Sequence, residues 1–502
     1  MRISKLSRPD LKPLPVAAGA VIAAAGWLSL AATYWDDAWH TDIGRDSAWT
    51  PPHVLLYGAV AVAGVMVAWW VIASVASSRS LASLTWPPLL LAGAGGVGVL
   101  AAAPIDAAWH AAYGRDAVLW SPPHMLTVFG SVAMLTGVLA GLAPARSRVL
   151  EAALSGLLLG TLAVAVMEYD TDVPQFSEVL YLPVLLAAGL LAVAVVRALV
   201  PRRLAVTSTA AAYVAFRLAI IPALAALGRS TPALPVAICG LAAADLPRLR
   251  GAARYAAAAG AVSVLAWAGA AAGLAPQSPA AVARTAIPVI AASAAIAAVS
   301  LSCDRRRTWL AVAALAAAAV ALIPARPAQA HDPGEGTQLA IARLTVSANG
   351  RGVVRLTIVP QSRCSQLQPR EIMARRAGRT IRAPLVAAGR CRFSGDIRLP
   401  GAGRWFVYAE LSDAGRPAET WLPADPAQAA TATASRVLYR PARAAPGSAR
   451  RTETAAGAAI YAAGIALLGG ALVVARRVAR RRGRPSPGLP RSAGLSTGHA
   501  GP

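Results

Sequence analysis

The sequence predicts an all-α polytopic membrane bundle of about twelve spans, with an extracytoplasmic β-sandwich inserted before the last span. Three observations carry that expectation. Hydrophobic residues make up 56% of the 502 residues and charged residues only 14%, with a mean hydropathy of +0.53, far above the soluble average. Apolar runs of membrane-spanning length recur to about residue 325 and return near 455–475. Between these stretches, from about 338 to 440, the hydrophobic period switches to two.

The apolar runs fall at 14–34, 53–75, 87–105, 124–144, 149–167, 179–199, 204–226, 232–246, 255–275, 285–302, 308–325 and 455–475, the eighth being the shortest. They divide the chain into a helical membrane domain (1–326), a β-sandwich (331–450), a last span (455–475) and a Pro/Gly/Ser-rich, disordered cytoplasmic tail (476–502). Orientation follows from the short loops. Arg2, Lys5, Arg8 and Lys12 precede the first span; Arg79, Arg146, Arg148, Arg202, Arg203, Arg248, Arg250, Arg254 and Arg305–Arg307 fall in every second loop after it. The positive-inside rule makes that side cytoplasmic, so both termini lie inside the cell membrane and residues 331–450 outside. The net charge of +25 is thereby assigned to orienting helices in a lipid bilayer, not to a nucleic-acid partner.

In the β segment, Leu339–Val346 and Val353–Val359 flank Asn349-Gly350, a strong hairpin signal. Further strands are expected at Cys391–Leu399, Arg404–Leu411 and Glu419–Leu422. Cys364 and Cys391 share this segment, and an oxidising exterior favours a disulfide between them. Cys239 and Cys303 fall in or beside spans and read as small buried hydrophobes.

The chain has six histidines, and four stand in two copies of one motif. The first runs Asp36, His40, Gly44-Arg45-Asp46, Pro51-Pro52-His53; the second runs Asp106, His110, Gly114-Arg115-Asp116, Pro122-Pro123-His124, with one extra residue before the last histidine. Asp and His four positions apart share one face of a helix. Pro-Pro suits the first turn of a helix and places His53 or His124 at the start of the next span. Each copy therefore offers two imidazoles and one carboxylate at an outward-facing membrane surface, a ligand set suited to copper, iron or zinc. The pairs Arg45-Asp46 and Arg115-Asp116 are placed to orient those ligands. The alternative is helix anchoring at the lipid interface by the same Asp, Arg, His and Trp residues.

The order Asp36-x3-His40-x12-His53, with Arg-Asp and Pro-Pro-His near its end, resembles the metal motif in the C subunit of copper membrane monooxygenases. The resemblance covers about twenty residues per copy. It implies a membrane-embedded copper site held by Asp36, His40 and His53, matched with an insertion by Asp106, His110 and His124. It also implies either support of oxidation, as a monooxygenase-like subunit, or copper handling. The duplicated motif, the extra spans and the fused β segment depart from that family. Two other classes compete: a permease whose motif loops form a substrate gate, and a structural subunit that contacts other subunits of a membrane complex.

Several features stand outside the motif. A third outer loop holds Glu168, Asp170, Asp172 and Glu178, read as extra ligands, as an attractor of cations or as a solvated loop. Arg217 and Asp245 are costly charges within spans and call for a packed ion pair or a helix-end position. Ala328-Gln329-Ala330 has the small-x-small form of a signal-peptidase site. Cleavage there would free His331 as a copper-chelating N-terminus, and an uncut linker is the alternative.

Overall fold

The computed structural model describes residues 12–43, 49–113, 119–143, 147–174, 176–302, 336–441 and 447–482. The helical part comprises α1 (Val16–Asp42), α2 (Pro51–Ser78), α3 (Pro87–Tyr113), α4 (Pro122–Gly141), α5 (Arg148–Ala163), α6 (Met167–Asp170), α7 (Tyr181–Leu199), α8 (Ala205–Ala226), α9 (Ala252–Ala271), α10 (Pro279–Ser302) and, after the strands, α11 (Gly447–Arg482).

Among the described residues, eight helical stretches are long and apolar enough to cross a membrane: α1 to α4, Arg148–Asp170, Glu178–Leu199, α8 and Arg451–Arg481. The expected eighth span is instead a ten-residue 3-10 helix, Val236–Asp245. At about 2 Å per residue it covers roughly 20 Å, short of a hydrocarbon core of about 30 Å. Pro232 and Pro235 precede it and limit its length. The expected ninth span is α9, an alanine-rich helix outside the eight, and the tenth contributes only the shorter apolar stretch Pro279–Ala295. The eleventh, 308–325, lies outside the described residues.

The exterior of the helical part is apolar: Val65, Ile72, Val97 and Leu100 are all exposed. Water solvates such a surface poorly and lipid solvates it well. Glycines bring α3 and α4 into close contact. A Cβ on Gly137 would lie 2.5 Å from the Ala92 amide nitrogen, and one on Gly95 would lie 2.4 Å from that of Met134. Small residues at helix contacts let backbones approach where lipid removes the hydrophobic drive to associate.

Nine antiparallel strands follow: β1 (Gly336–Asn349), β2 (Val353–Pro360), β3 (Leu367–Arg376), β4 (Arg379–Pro384), β5 (Val386–Gly389), β6 (Arg392–Arg398), β7 (Trp405–Asp413), β8 (Arg416–Ala424) and β9 (Ala429–Pro441). They form one sheet in the order β4-β3-β7-β8-β9-β1-β2-β6-β5, curled until it nearly closes. The expected sandwich of two sheets is corrected to this single sheet. At the β8–β9 junction only Glu419 and Tyr439 pair. The Asn349-Gly350 hairpin forms between β1 and β2. The Asn349 side chain accepts from the amides of Arg351 (2.8 Å) and Val353 (3.1 Å), and Gly350 takes φ +71°. Leu344, Val354, Ile358, Ile372 and Val407 fill the interior. Cys364 and Cys391 are disulfide-bonded, with Cα atoms 5.1 Å apart. Cys239 is exposed, not buried as the sequence reading had it, because it sits on the short 3-10 helix instead of inside a span.

The sheet docks on the helical part through the third loop. Val173 inserts into an apolar cluster of Met373, Phe406, Tyr408 and Trp421. Arg376 pairs with Asp172 (2.5 Å) and Glu178 (3.2 Å), and the Arg404 amide donates to Asp172 (2.7 Å).

Candidate metal centre

α1 runs without interruption to Asp42, so Asp36 and His40 lie one turn apart on one face. Thr50 precedes α2, Pro51 and Pro52 occupy its first turn, and His53 follows them into the helix, buried at 6% exposure. α1 and α2 thus form a helical hairpin that carries Asp36 and His40 on one arm and His53 on the other.

The three side chains converge. His53 Nε2 lies 3.0 Å from Asp36 Oδ1, and His40 Nδ1 lies 3.8 Å from Asp36 Oδ2. One donor atom from each residue falls within 4.8 Å of the other two. Ligands of one ion stand no more than about 4 Å apart, so the set has to contract by some tenths of an ångström around a metal. The imidazoles meet edge to face at 5.8 Å between centroids, and His53 stacks on Tyr57 at 5.8 Å. The other ring nitrogen of His40, Nε2, is buried with no hydrogen-bond partner among the described residues. Burying a polar nitrogen without a partner is costly, and coordination is one way to satisfy it. The three residues thus form a set that could hold a metal ion.

The second copy repeats this arrangement in part. Asp106 stands on α3 and His124 at the start of α4, where the Ser121 hydroxyl caps the His124 amide (3.4 Å). His124 Nε2 lies 3.5 Å from Asp106 Oδ1. The His124 side chain is 37% exposed against 8% for His53, so this pair is the wetter of the two. His110 belongs to α3, but its side chain lies outside the described residues, as do Arg45, Asp46, Arg115 and Asp116.

The third-loop carboxylates are committed elsewhere. Asp170 accepts from Arg217 (2.7 Å), Glu168 accepts from the Leu119 amide (2.9 Å), and Asp172 and Glu178 hold Arg376. They tie helices and sheet together instead of extending the metal set. Arg217, 1% exposed, also donates to the hydroxyls of Tyr34 (3.2 Å) and Tyr213 (3.0 Å) and to the Ala233 carbonyl. Asp245 pairs with Arg197 (3.0 Å) and accepts from the Thr207 amide (2.8 Å) and hydroxyl (3.0 Å). Arg217 and Asp245 thus both have packed partners.

Sequence reasoning missed the surroundings of the α1 C-terminus. Asp42 accepts from the Ser230 amide (2.6 Å) and hydroxyl (2.5 Å), and the Ser230 hydroxyl accepts from Arg404 (2.8 Å). Arg436, on β9, donates to the backbone carbonyls of Asp42 and Ile43. Its burial draws the guanidinium below the ordinary arginine range, an effect that the Asp42 carboxylate opposes. No local pattern marks these residues, which meet across separations of 174 to 394 positions.

No protein-family model, curated protein or solved structure matches the chain. What characterises the chain, among the described residues, is eight membrane-length apolar helices, a curled nine-stranded sheet and an Asp-His-His cluster on the first helical hairpin.

Proposed function

We propose that this chain is an integral membrane protein that binds a transition metal, copper in preference to zinc or iron, at the outer face of the bilayer. The observation that carries the reading is the convergence of Asp36, His40 and His53 from two helices onto one point. Two imidazoles and a carboxylate are a recurrent ligand set for redox metals and zinc and leave further positions open. The choice of copper rests on the motif's resemblance to the C subunit of copper membrane monooxygenases. Asp106 and His124 mark the equivalent second position, and the repeated motif assigns His110 to it as the third ligand. The arginine distribution puts both positions on the outer side. Copper held there with open positions supports either oxidation of a small molecule or transfer of the ion to another protein.

The test is metal content by mass spectrometry on detergent-purified protein exposed to copper, zinc and iron in competition. Copper should be retained by the wild type and lost from the His40→Ala/His110→Ala double variant. Full retention by that variant would sink the ligand assignment. Zinc or iron retained in place of copper would refute the choice of metal.

A further inference from the structure

Within the metal reading above, we infer that the β domain sets the geometry of the metal centre, with Arg436 as a positioning residue for His40. His40 lies in the last turn of α1, where the final carbonyls have no partner within the helix. Helix ends fray unless something holds them. Here the β domain supplies the hold. The Arg436 guanidinium donates to the carbonyls of Asp42 and Ile43, closing the C-terminus with a cation, the charge that the helix dipole favours there. Arg436 is itself braced over the Trp421 ring, 5.2 Å from its centroid.

Two more grips act on the same turn. Ser230 donates twice to the Asp42 carboxylate and is held in turn by Arg404, the residue before β7. Arg229 lies over the Trp39 ring at 5.2 Å. Every side chain of the turn that flanks His40 is therefore engaged: Trp39 by Arg229, Thr41 by the Asp37 carbonyl (2.8 Å) and Asp42 by Ser230. His53 needs no such help, because Pro51 and Pro52 fix the first turn of α2. The ligand whose position depends on the β domain is His40.

Two consequences follow. Releasing the turn lowers metal affinity without removing a ligand, and outer partners of ligating groups typically change affinity by about 10–100-fold. Binding couplings are also reciprocal, so an ion in the site tightens the β domain on α1 by the same factor that docking tightens the ion.

The test combines copper affinity, by competition with a chelator, with amide hydrogen exchange on the full-length protein in detergent. In Arg436→Ala, the copper Kd should rise about tenfold or more. Exchange across residues 37–43 should quicken in the absence of copper, and Arg436→Lys should recover part of both effects. Ser230→Ala acts from the helical side and leaves the sheet intact, and it should shift both readouts in the same direction. Arg355→Ala, at an exposed pair with Asp396, should change neither. Copper added to the wild type should slow exchange in β9 around Arg436. Unchanged Kd and exchange in both Arg436→Ala and Ser230→Ala, with copper bound normally by the wild type, would overturn the positioning role alone. A wild type that binds no copper would overturn the metal reading and this inference with it.

Discussion

Arg217 and Asp170, 47 positions apart, form an ion pair of 2.7 Å inside the helical part, with the guanidinium almost wholly buried. Removing one partner of a buried pair leaves an uncompensated charge, which typically costs roughly 3–5 kcal/mol. Arg217→Ala and Asp170→Ala should each lower thermal stability sharply. The double variant should fall short of the sum, because the pair acts as a unit. Additive losses in thermal unfolding would show that the two residues are not coupled.

The α3–α4 contact makes a second, sharper comparison. Gly137→Val places new atoms against backbone at 2.5 Å and should cost more than the roughly 1–3 kcal/mol of ordinary overpacking. Gly64 has nothing within 4 Å of its would-be Cβ, so Gly64→Ala should be neutral or gain up to about 1 kcal/mol from helix propensity. Thermal unfolding of the two variants side by side checks this.

The disulfide closes a loop with a separation of 27 residues. Replacing Cys364 and Cys391 by serine should cost the β domain about 3 kcal/mol through the entropy of the unfolded chain. Peptide mapping without reductant should recover the two cysteines as one linked pair, and free thiols at both would contradict the assignment.

The proposed sidedness is open to direct measurement. Reporter fusions at Ser80, Ala112 and Gln368 should read cytoplasmic, external and external. A cytoplasmic signal at Ala112 would put the second motif copy on the wrong side and overturn the outer-face placement.

What was legible in the sequence was local. Asp36 and His40 could be set on one face because helical period is a short-range property, and the prolines before His53 announced the helix start that holds it. The Asn349-Gly350 hairpin was readable for the same reason, and the cysteine pair from the oxidising exterior assigned to its segment. Long-range relationships were not. Asp172 and Glu178 read as ligands or a solvated loop, yet their partner is Arg376, about two hundred positions away. The apolar run at 232–246 mimicked a span in composition, but prolines kept its helix too short. β9 escaped notice because its alternation is of alanine and threonine, with both faces of its first half exposed, so period two left no hydrophobic trace. The joining of β8 to β9 through the single pair Glu419 and Tyr439 is marked by no residue pattern.

The most direct test of the central claim is pulsed electron paramagnetic resonance of the copper-loaded protein, which counts coupled imidazole ligands. The second motif copy is first silenced by His110→Ala/His124→Ala. In that background the account predicts copper bound with two imidazoles, one imidazole once His53→Ala is added, and loss of the site when Asp36→Ala and His40→Ala are combined. Copper that shows no imidazole coupling, or a coupling unchanged by His53→Ala, would contradict it.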